Sequence, residues 1–213
     1  MKIKNKKFIK FLILIVLIIL IVFLINFIYQ KIQKDRFKKM LQKNDATNYE
    51  LTEIVNGEES KVYVRDKILL SQNGNTRTWV NEFKSRRIIF DEEYKTAIVD
   101  ENDDNLKVNS LNYTYVNDYF ENSNQSFKYS GKENGCYKIQ FKEKASGKIT
   151  IIYINDKTKI VDKIVQNVGN FEFVTEFKVK KNKVSKSDVE LPDLEGYRAY
   201  DSVDSNPEKK EVN

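Results

Sequence analysis

The stretch YKIQFKEKASGKITIIYI, residues 137–154, decides the fold class of this chain. Every second residue from Tyr137 to Phe141 is apolar and the residues between them are polar, which is typical of a strand with one buried face. Ser146-Gly147 predicts a turn. Residues 149–154 are apolar on both faces, which predicts a central strand that is covered on both sides. The stretch therefore predicts two paired antiparallel strands inside a larger sheet.

Short alternating runs separated by turns extend in both directions from this hairpin. Asn56-Gly57 is the strongest turn signal, because both residue types adopt the positive φ angles that a two-residue hairpin loop needs. We predict a mainly β fold of the α+β class, with about ten to eleven strands in a strongly curved antiparallel sheet that forms an open half-barrel. The predicted strands lie at residues 49–55, 61–64, 68–70, 76–82, 88–90, 96–99, 137–142, 149–154, 160–168 and 171–179.

One segment between these strands has helical spacing. Leu111, Tyr115 and Tyr119 are four residues apart, which predicts a helix over residues 109–122 with Asn109 as its N-cap. A sheet of this kind has one face to bury, and we expect this helix to cover its concave side.

The amino-terminal part of the chain predicts a membrane anchor. From residue 8 to residue 29 only Lys10 and Asn26 interrupt an apolar run. As a helix, that run spans roughly 33 Å, which is enough to cross a bilayer core of about 30 Å. A cleaved signal peptide is the main alternative, but the run is too long and no pair of small residues follows it. We therefore predict a basic tail over residues 1–10 and an uncleaved transmembrane helix over residues 8–29.

The predicted helix continues as a basic juxtamembrane segment over residues 30–44. Two interpretations of this segment remain open: a collar on anionic lipid headgroups, or a stalk whose apolar face packs on the domain. Residues 45–200 are expected to form the folded domain, and residues 201–213 a charged, frayed tail. The expected apolar face of the segment holds Tyr29, Ile32, Phe37, Met40 and Leu41. The lysines expected on the membrane surface are Lys31, Lys34 and Lys38.

Composition excludes several functional classes. The chain has no histidine and one cysteine, Cys136, which excludes histidine-dependent triads, cysteine-based zinc sites and an intrachain disulfide. Residues 1–43 carry 11 Lys and Arg residues against the single acid Asp35, so the net charge of +6 belongs to the amino-terminal part. Because the folded part is mildly acidic, we expect no nucleic-acid partner. We also expect no catalytic residue, no metal site and no cofactor.

Three motif-like segments are interpreted as turns. Gly147-Lys148 lacks the upstream glycine and the following Ser or Thr of a phosphate-binding loop. Residues 100–105 lack the glycine and the terminal glutamate of a calcium loop. Residues 91–93 offer adjacent carboxylates, whereas acid–base chemistry needs carboxylates that face each other across a cleft.

The chain resembles the LolA-like half-barrel superfamily, which includes lipoprotein carriers of the periplasm and germination lipoproteins of spore-forming clostridia. The resemblance covers residues 49–197 and implies an eleven-stranded curved sheet around a helix, with an apolar cavity for acyl chains and no catalysis. The residues that carry the resemblance are Tyr63, Trp79, Ile89-Phe90, Ile98-Val99, Gly135-Cys136-Tyr137, the strand end Tyr153-Ile154-Asn155-Asp156 and the closing segment Leu191-Pro192-Asp193-Leu194-Glu195-Gly196-Tyr197.

The chain differs from this superfamily in its attachment to the membrane. It keeps an apolar anchor, unlike the carriers, and lacks an acylated cysteine after that anchor, unlike the lipoproteins. The lysine-rich tail is a poor candidate for translocation, and the superfamily it resembles is extracytoplasmic. We therefore expect a bacterial single-pass cell-membrane protein whose carboxyl-terminal domain is extracytoplasmic.

The aromatic residues are the main candidates for a binding site, and they are equally compatible with a solid core. Our first hypothesis is a membrane-anchored, non-enzymatic module that binds acyl chains or a lipidated partner in the half-barrel. The alternative is an envelope interaction scaffold with a filled core, which holds a partner such as a cell-wall enzyme at the membrane. The expected pocket-lining residues are Trp79, Phe90, Phe141, Tyr153, Phe171, Phe173 and Phe177.

Overall fold

The computed structural model describes the backbone of residues 2–202 and the side chains of residues 8–111 and 115–202. Most of the expected tail, residues 203–213, lies outside the described residues, as do the side chains of the first seven residues. The helices are α1 (Lys2–Lys43) and α2 (Leu111–Glu121). The strands are β1 (Tyr49–Val55), β2 (Glu58–Arg65), β3 (Ile68–Asn73), β4 (Thr76–Asn81), β5 (Arg86–Asp91), β6 (Thr96–Glu101), β7 (Gln125–Glu133), β8 (Cys136–Glu143), β9 (Ile149–Asn155), β10 (Val161–Val168), β11 (Phe171–Lys181) and β12 (Arg198–Asp201).

The strands form one open sheet of twelve strands in the order β12-β6-β5-β4-β3-β2-β1-β11-β10-β9-β8-β7. All neighbouring strands pair in antiparallel orientation except β12, which lies parallel to β6. The sheet does not close into a barrel, because β12 and β7 each have a single neighbour among the described strands. The prediction of a mainly β, antiparallel sheet with a covering helix is therefore confirmed.

The sheet has more strands than the sequence predicted. β12 was not predicted because all four of its side chains are exposed, so it pairs through its backbone and carries no apolar alternation. β7 was also missed. Its pairing with β8 shifts between Tyr129 and Lys132, and Gly131 in this interval has a φ of 98°. An irregularity of this kind disrupts the period of two on which the prediction depends.

The tight turn between β1 and β2 has the backbone angles that its sequence predicts. Asn56 and Gly57 connect β1 to β2 with φ angles of 52° and 88°. Positive φ at both positions is the requirement of a two-residue hairpin loop, so the turn prediction at Asn56-Gly57 is confirmed. A Cβ atom added at Gly57 would meet no other atom within 4 Å, so the backbone angle rather than crowding favours glycine there.

The two halves of the sheet bury opposite faces. Directly paired residues lie on the same face of a sheet. Phe177 of β11 is paired with Glu53 of β1, and Glu53 is paired with Ser60 of β2. The series of directly paired residues continues through β3 to Thr76 of β4, so Phe177 and Thr76 lie on the same face. Trp79 is an odd number of residues from Thr76 and therefore lies on the other face. This differs from the expectation of a sheet with one buried face.

The larger core lies under the helices. In this core, the buried face of β1 and of strands β8 to β11 packs against α2 and against the end of α1. The predicted alternation from Tyr137 to Phe141 is present, with Tyr137, Ile139 and Phe141 buried. The smaller core lies on the opposite face of β4 to β6, where Leu194 and Tyr197 cover it. We call residues 187–202 the carboxyl-terminal segment.

Helix α2 begins two residues later than predicted. Ser110 occupies the N-cap position without a side-chain capping bond, because its Oγ donates to the Asp45 carboxylate. Asn109, the predicted N-cap, instead accepts a hydrogen bond from the Tyr49 hydroxyl through its backbone carbonyl at 3.2 Å. These contacts attach the start of α2 to the chain that follows α1.

Helix α1 runs without a break through the predicted transmembrane and juxtamembrane segments. In the described part of the chain, one helical stretch, Phe8–Lys43, is long and apolar enough to cross a membrane, with a mean hydropathy of 3.5 over its most apolar 18-residue window. Residues 8–29 are all exposed in the isolated molecule. Residues 33, 37 and 41, at helical spacing, are buried, and Phe37 and Leu41 belong to the larger core.

The packed face of this segment includes Phe37, Met40 and Leu41 of the predicted face but not Tyr29 and Ile32. Tyr29 and Ile32 are 44% and 58% exposed, whereas Gln33 is buried. Phe37 is fully buried, and its ring centroid lies 5.2 Å from that of Tyr129 and 5.4 Å from that of Tyr137. The packed unit therefore includes the chain from Gln33 onward, before the expected domain boundary at residue 45.

Candidate functional site

The seven predicted pocket residues do not form one site. Phe141 and Phe177 belong to the larger core, whereas Trp79 and Phe90 belong to the smaller core on the other face. Tyr153 alternates with the buried Ile152 and Ile154 and therefore lies on the face opposite the larger core. Phe171 and Phe173 are on the helix side of the sheet but are 72% and 47% exposed.

The space beneath α2 is filled. The cavity lined by Leu111, Tyr115 and Phe177 with the neighbouring strands has a volume of about 10 Å³. That is roughly the space one water molecule needs, and far below the volume of typical ligand pockets, about 300–1,000 Å³. Packed rings occupy the interior instead, with Phe120 5.1 Å and Phe127 5.5 Å from Phe141 between centroids.

An open groove lies beside α2, between this helix and strands β1, β10 and β11. Its volume is about 450 Å³. We call it the α2 groove. The polar side chains that line it are Glu53, Asp118, Asn122, Gln125, Gln166 and Thr175, together with Tyr115 and Tyr119.

Among the described residues, two carboxylates and no Lys or Arg side chain line the α2 groove. Partial burial raises the pKa of Glu53, and a hydrogen bond with the Tyr115 hydroxyl opposes that rise. The same burial raises the pKa of Tyr115, so its hydroxyl stays protonated and can donate. Gln166 donates to the Tyr119 hydroxyl at 2.7 Å. The Gln125 Oε1 is buried and has no hydrogen-bond partner. The groove can therefore accept hydrogen bonds from an amide or a cationic group.

Exposed apolar side chains continue from the α2 groove toward the β10–β11 turn. Phe173 is paired with Gln166, and Val168 is paired with Phe171 at the tip of the hairpin. Val55 pairs with Thr175, which lines the groove. We call Val55, Val168, Phe171 and Phe173 the hairpin patch; they are between 38% and 72% exposed.

Sequence reasoning missed the polar residues of this groove. Glu53 was the available signal, because it shares the buried face of β1 with Tyr49 and Leu51. A carboxylate on an apolar strand face needs a partner or a neighbouring solvent-filled space. Asp118 and Gln166 gave no such signal, because only the packing of α2 on the sheet brings them near Glu53.

The three predicted membrane-surface lysines have different surroundings. Lys38 forms an ion pair with Glu121 of α2 at 2.6 Å, so it helps to hold α1 against the domain. Lys31 is exposed and Lys34 is half-buried. Both line a second groove, between α1 and β7, with a volume of about 510 Å³. The apolar face of α1 packs on the domain, as the stalk interpretation requires, while Lys31 and Lys34 remain available to a membrane surface.

No group of three or more His, Cys, Asp or Glu side chains is placed to hold a metal ion in the described residues. Cys136 is partly buried, and its Sγ donates to Asp162 at 3.6 Å. Burial and the Asp162 carboxylate both raise the pKa of the Cys136 thiol, which disfavours the nucleophilic thiolate at neutral pH.

Comparisons with known proteins do not establish a family. No family model matches the sequence, and no curated protein matches it. Among solved structures, one described as "Structure of PNGF-II in C2 space group" is similar, with 14% sequence identity and a TM-score of 0.24. The similarity covers 72% of this chain and 30% of that chain. The resemblance to the LolA-like superfamily stays a prediction.

Proposed function

We propose that this protein is a membrane-anchored interaction scaffold that presents the α2 groove and the hairpin patch to a protein partner. The observation that carries the proposal is the nearly filled cavity beneath the start of α2 beside an open groove that two carboxylates line. A filled interior favours binding at a surface over enclosure of a ligand. The proposal includes no catalytic step.

The groove's chemistry defines the partner. The carboxylates of Glu53 and Asp118 accept hydrogen bonds, and the exposed rings of Phe171 and Phe173 lie nearby. A polypeptide segment in which basic side chains alternate with apolar ones supplies both kinds of contact. We propose such a segment of an envelope protein as the partner.

The membrane arrangement is part of the proposal. The apolar part of α1 would span the bilayer with the lysine-rich amino terminus in the cytoplasm and the sheet outside a bacterial cell. We further propose that the sheet curves around α2 and the end of α1, as the LolA-like resemblance implies.

A direct test measures binding of two peptides to the full chain in detergent. One peptide alternates Lys and Leu, and its control alternates Glu and Leu. We expect saturable binding of the basic peptide only. Changing Glu53→Gln together with Asp118→Asn should weaken it roughly tenfold, because charge-assisted contacts are lost.

The contribution of the exposed phenylalanine rings to peptide binding is tested with a matched control. Phe171→Ser with Phe173→Ser should weaken binding of the basic peptide, whereas Phe83→Ser should not, although Phe83 is 73% exposed. Equal binding of both peptides, or an equal loss in the Phe83 variant, would contradict the proposed site.

Acyl-chain binding stays the second prediction. A fragment of residues 30–213, which keeps Phe37 and Leu41, would serve for the test. Native mass spectrometry and titration with a fluorescent fatty acid should detect no stoichiometric acyl chain. A retained chain at one per molecule would favour the acyl-chain hypothesis over the scaffold.

A further inference from the structure

The second groove lies where the apolar part of α1 meets the domain. Phe23 and Phe27 of α1 line one wall, and Phe127 of β7 lines the other. Gln30 holds the two walls together, because its Oε1 accepts a hydrogen bond from the backbone N–H of Tyr129 at 2.7 Å. We call this space the juxtamembrane groove.

Three lysines surround the juxtamembrane groove: Lys31 and Lys34 from α1 and Lys144 from the β8–β9 turn. None of the three forms an ion pair with a carboxylate among the described side chains. The Lys144 ammonium donates to the Ser123 carbonyl at 3.1 Å, which places its charge beside the start of β7. The nearby Glu121 is already paired with Lys38.

The groove thus has an apolar part and a cationic part in a fixed order along α1. Its apolar part on α1 is formed by the last two turns of the predicted transmembrane segment, and Lys31 and Lys34 follow within the next two turns. A phospholipid has the same order, with acyl chains next to the bilayer core and a phosphate at its surface. The lysines complement the charge of an anionic headgroup.

We infer that the juxtamembrane groove binds one anionic phospholipid of the bilayer that α1 spans. Lys31, Lys34 and Lys144 would bind the headgroup, and Phe23 and Phe27 would contact an acyl chain. The inference rests on the proposed membrane anchoring but is independent of partner binding in the α2 groove.

The test uses the full chain, extracted in a mild detergent and mixed with equal amounts of phosphatidylglycerol and phosphatidylcholine. Native mass spectrometry counts the lipids that each protein molecule retains. We expect retention of one phosphatidylglycerol with at least about tenfold preference, because each lysine near an anionic headgroup favours binding several-fold. The triple variant Lys31→Gln, Lys34→Gln and Lys144→Gln should lose that preference.

A control variant removes the same charge elsewhere. Lys39 and Lys43 are exposed on α1, and Lys157 is exposed in the β9–β10 turn at the other end of the strands. Lys39→Gln, Lys43→Gln and Lys157→Gln should leave the preference intact. Circular dichroism of both variants checks that the fold is retained.

A second measurement distinguishes failure of the phospholipid site from failure of the proposed membrane anchoring. Extraction of membranes with alkaline carbonate checks whether the chain is integral. An integral chain without a preference for phosphatidylglycerol, or an equal loss in both triple variants, would overturn the phospholipid site alone. A chain released by carbonate would overturn the anchoring and the inference together.

Discussion

Glu92 is the residue that attaches the carboxyl-terminal segment to the sheet. Its Oε2 accepts a hydrogen bond from the Tyr197 hydroxyl at 2.5 Å and is 3.0 Å from the Lys95 ammonium, and Arg77 binds its other oxygen. The hydrogen bonds from Tyr197 and Lys95, with Arg77, lower the pKa of Glu92 to about 2. Tyr197 in turn packs on Phe90 of the smaller core.

The lowered pKa predicts an acid-dependent loss of this attachment. Because the folded-state pKa is below that of the unfolded chain, the contribution of Glu92 to stability is present above about pH 4.5 and is lost as the pH falls toward 2. Glu92→Gln should lower the free energy of unfolding at pH 7 by about 1 kcal/mol, since the site is partly solvated. It should also remove this part of the acid dependence.

Trp79 reports this change, because its indole N–H donates to the Val189 carbonyl of the same segment at 3.0 Å. Urea unfolding followed by Trp79 fluorescence at pH 7 and between pH 4.5 and 2 gives the comparison. Glu93→Gln, in the same turn, is the control and should behave as the unmodified chain does. Identical acid profiles for the two variants would exclude the role of Glu92.

Cys136 gives a second prediction at the residue scale. Burial and the neighbouring Asp162 raise its thiol pKa, so reaction with a maleimide should be slow at pH 7 and accelerate about tenfold per pH unit while the thiol remains mostly protonated. Asp162→Asn should lower that pKa toward its ordinary value and accelerate labelling at pH 7.5. An unchanged rate would show that Asp162 does not control the thiol.

Individual residues show which features of the structure the sequence alone predicts. The alternation from Tyr137 to Phe141 correctly predicted which side chains are buried, because a period of two assigns faces within one strand. It could not show that Trp79 and Phe177 bury opposite faces. That relation depends on the register across four successive strand pairs, and an error of one residue in any turn reverses it.

At the scale of elements, the end of α1 is part of the domain core. Phe37 is fully buried against the rings of Tyr129 and Tyr137, and Leu41 is 2% exposed. The continuation of the helix beyond the apolar run and the packing of Phe37, Met40 and Leu41 were predicted from the spacing, whereas the full packed face, which includes Gln33 and excludes Tyr29 and Ile32, was not. That face depends on where β7 and α2 contact the helix, and β7 was itself not predicted.

Phe37→Ala should therefore destabilise the domain although the residue belongs to the juxtamembrane segment. Removing a large buried ring costs about 3–5 kcal/mol, through lost burial and the cavity that remains. Thermal unfolding of the full chain in detergent, followed by circular dichroism, measures the loss. Ile32→Ala is the matched control, since Ile32 is 58% exposed on the same helix. Similar unfolding temperatures for both variants would contradict this packing.

At the scale of the whole molecule, the sequence predicted the mainly antiparallel sheet and the helix that covers it, but not the second covered face. Val189 and Tyr197 contact Trp79 and Phe90, and each contact joins positions more than a hundred residues apart. Similarly, the α2 groove combines residues of β1, α2, β10 and β11, which no local pattern connects.

The orientation of the molecule in the membrane has a direct test. Cys136 is the single cysteine of the chain, so a membrane-impermeant maleimide applied to intact cells at pH 8.5 should label it if the domain is outside. Labelling of a native lysate shows that the thiol is accessible. Labelling confined to the lysate would place the domain in the cytoplasm.

The unbroken course of α1 from Lys2 to Lys43 has a mechanical consequence. A helix whose apolar stretch is longer than the bilayer core is thick can tilt to fit it. Because the last turns of this helix are fixed in the core, any such tilt would rotate the sheet through the same angle. The thickness of the host membrane would then determine the height and the direction from which a partner reaches the protein.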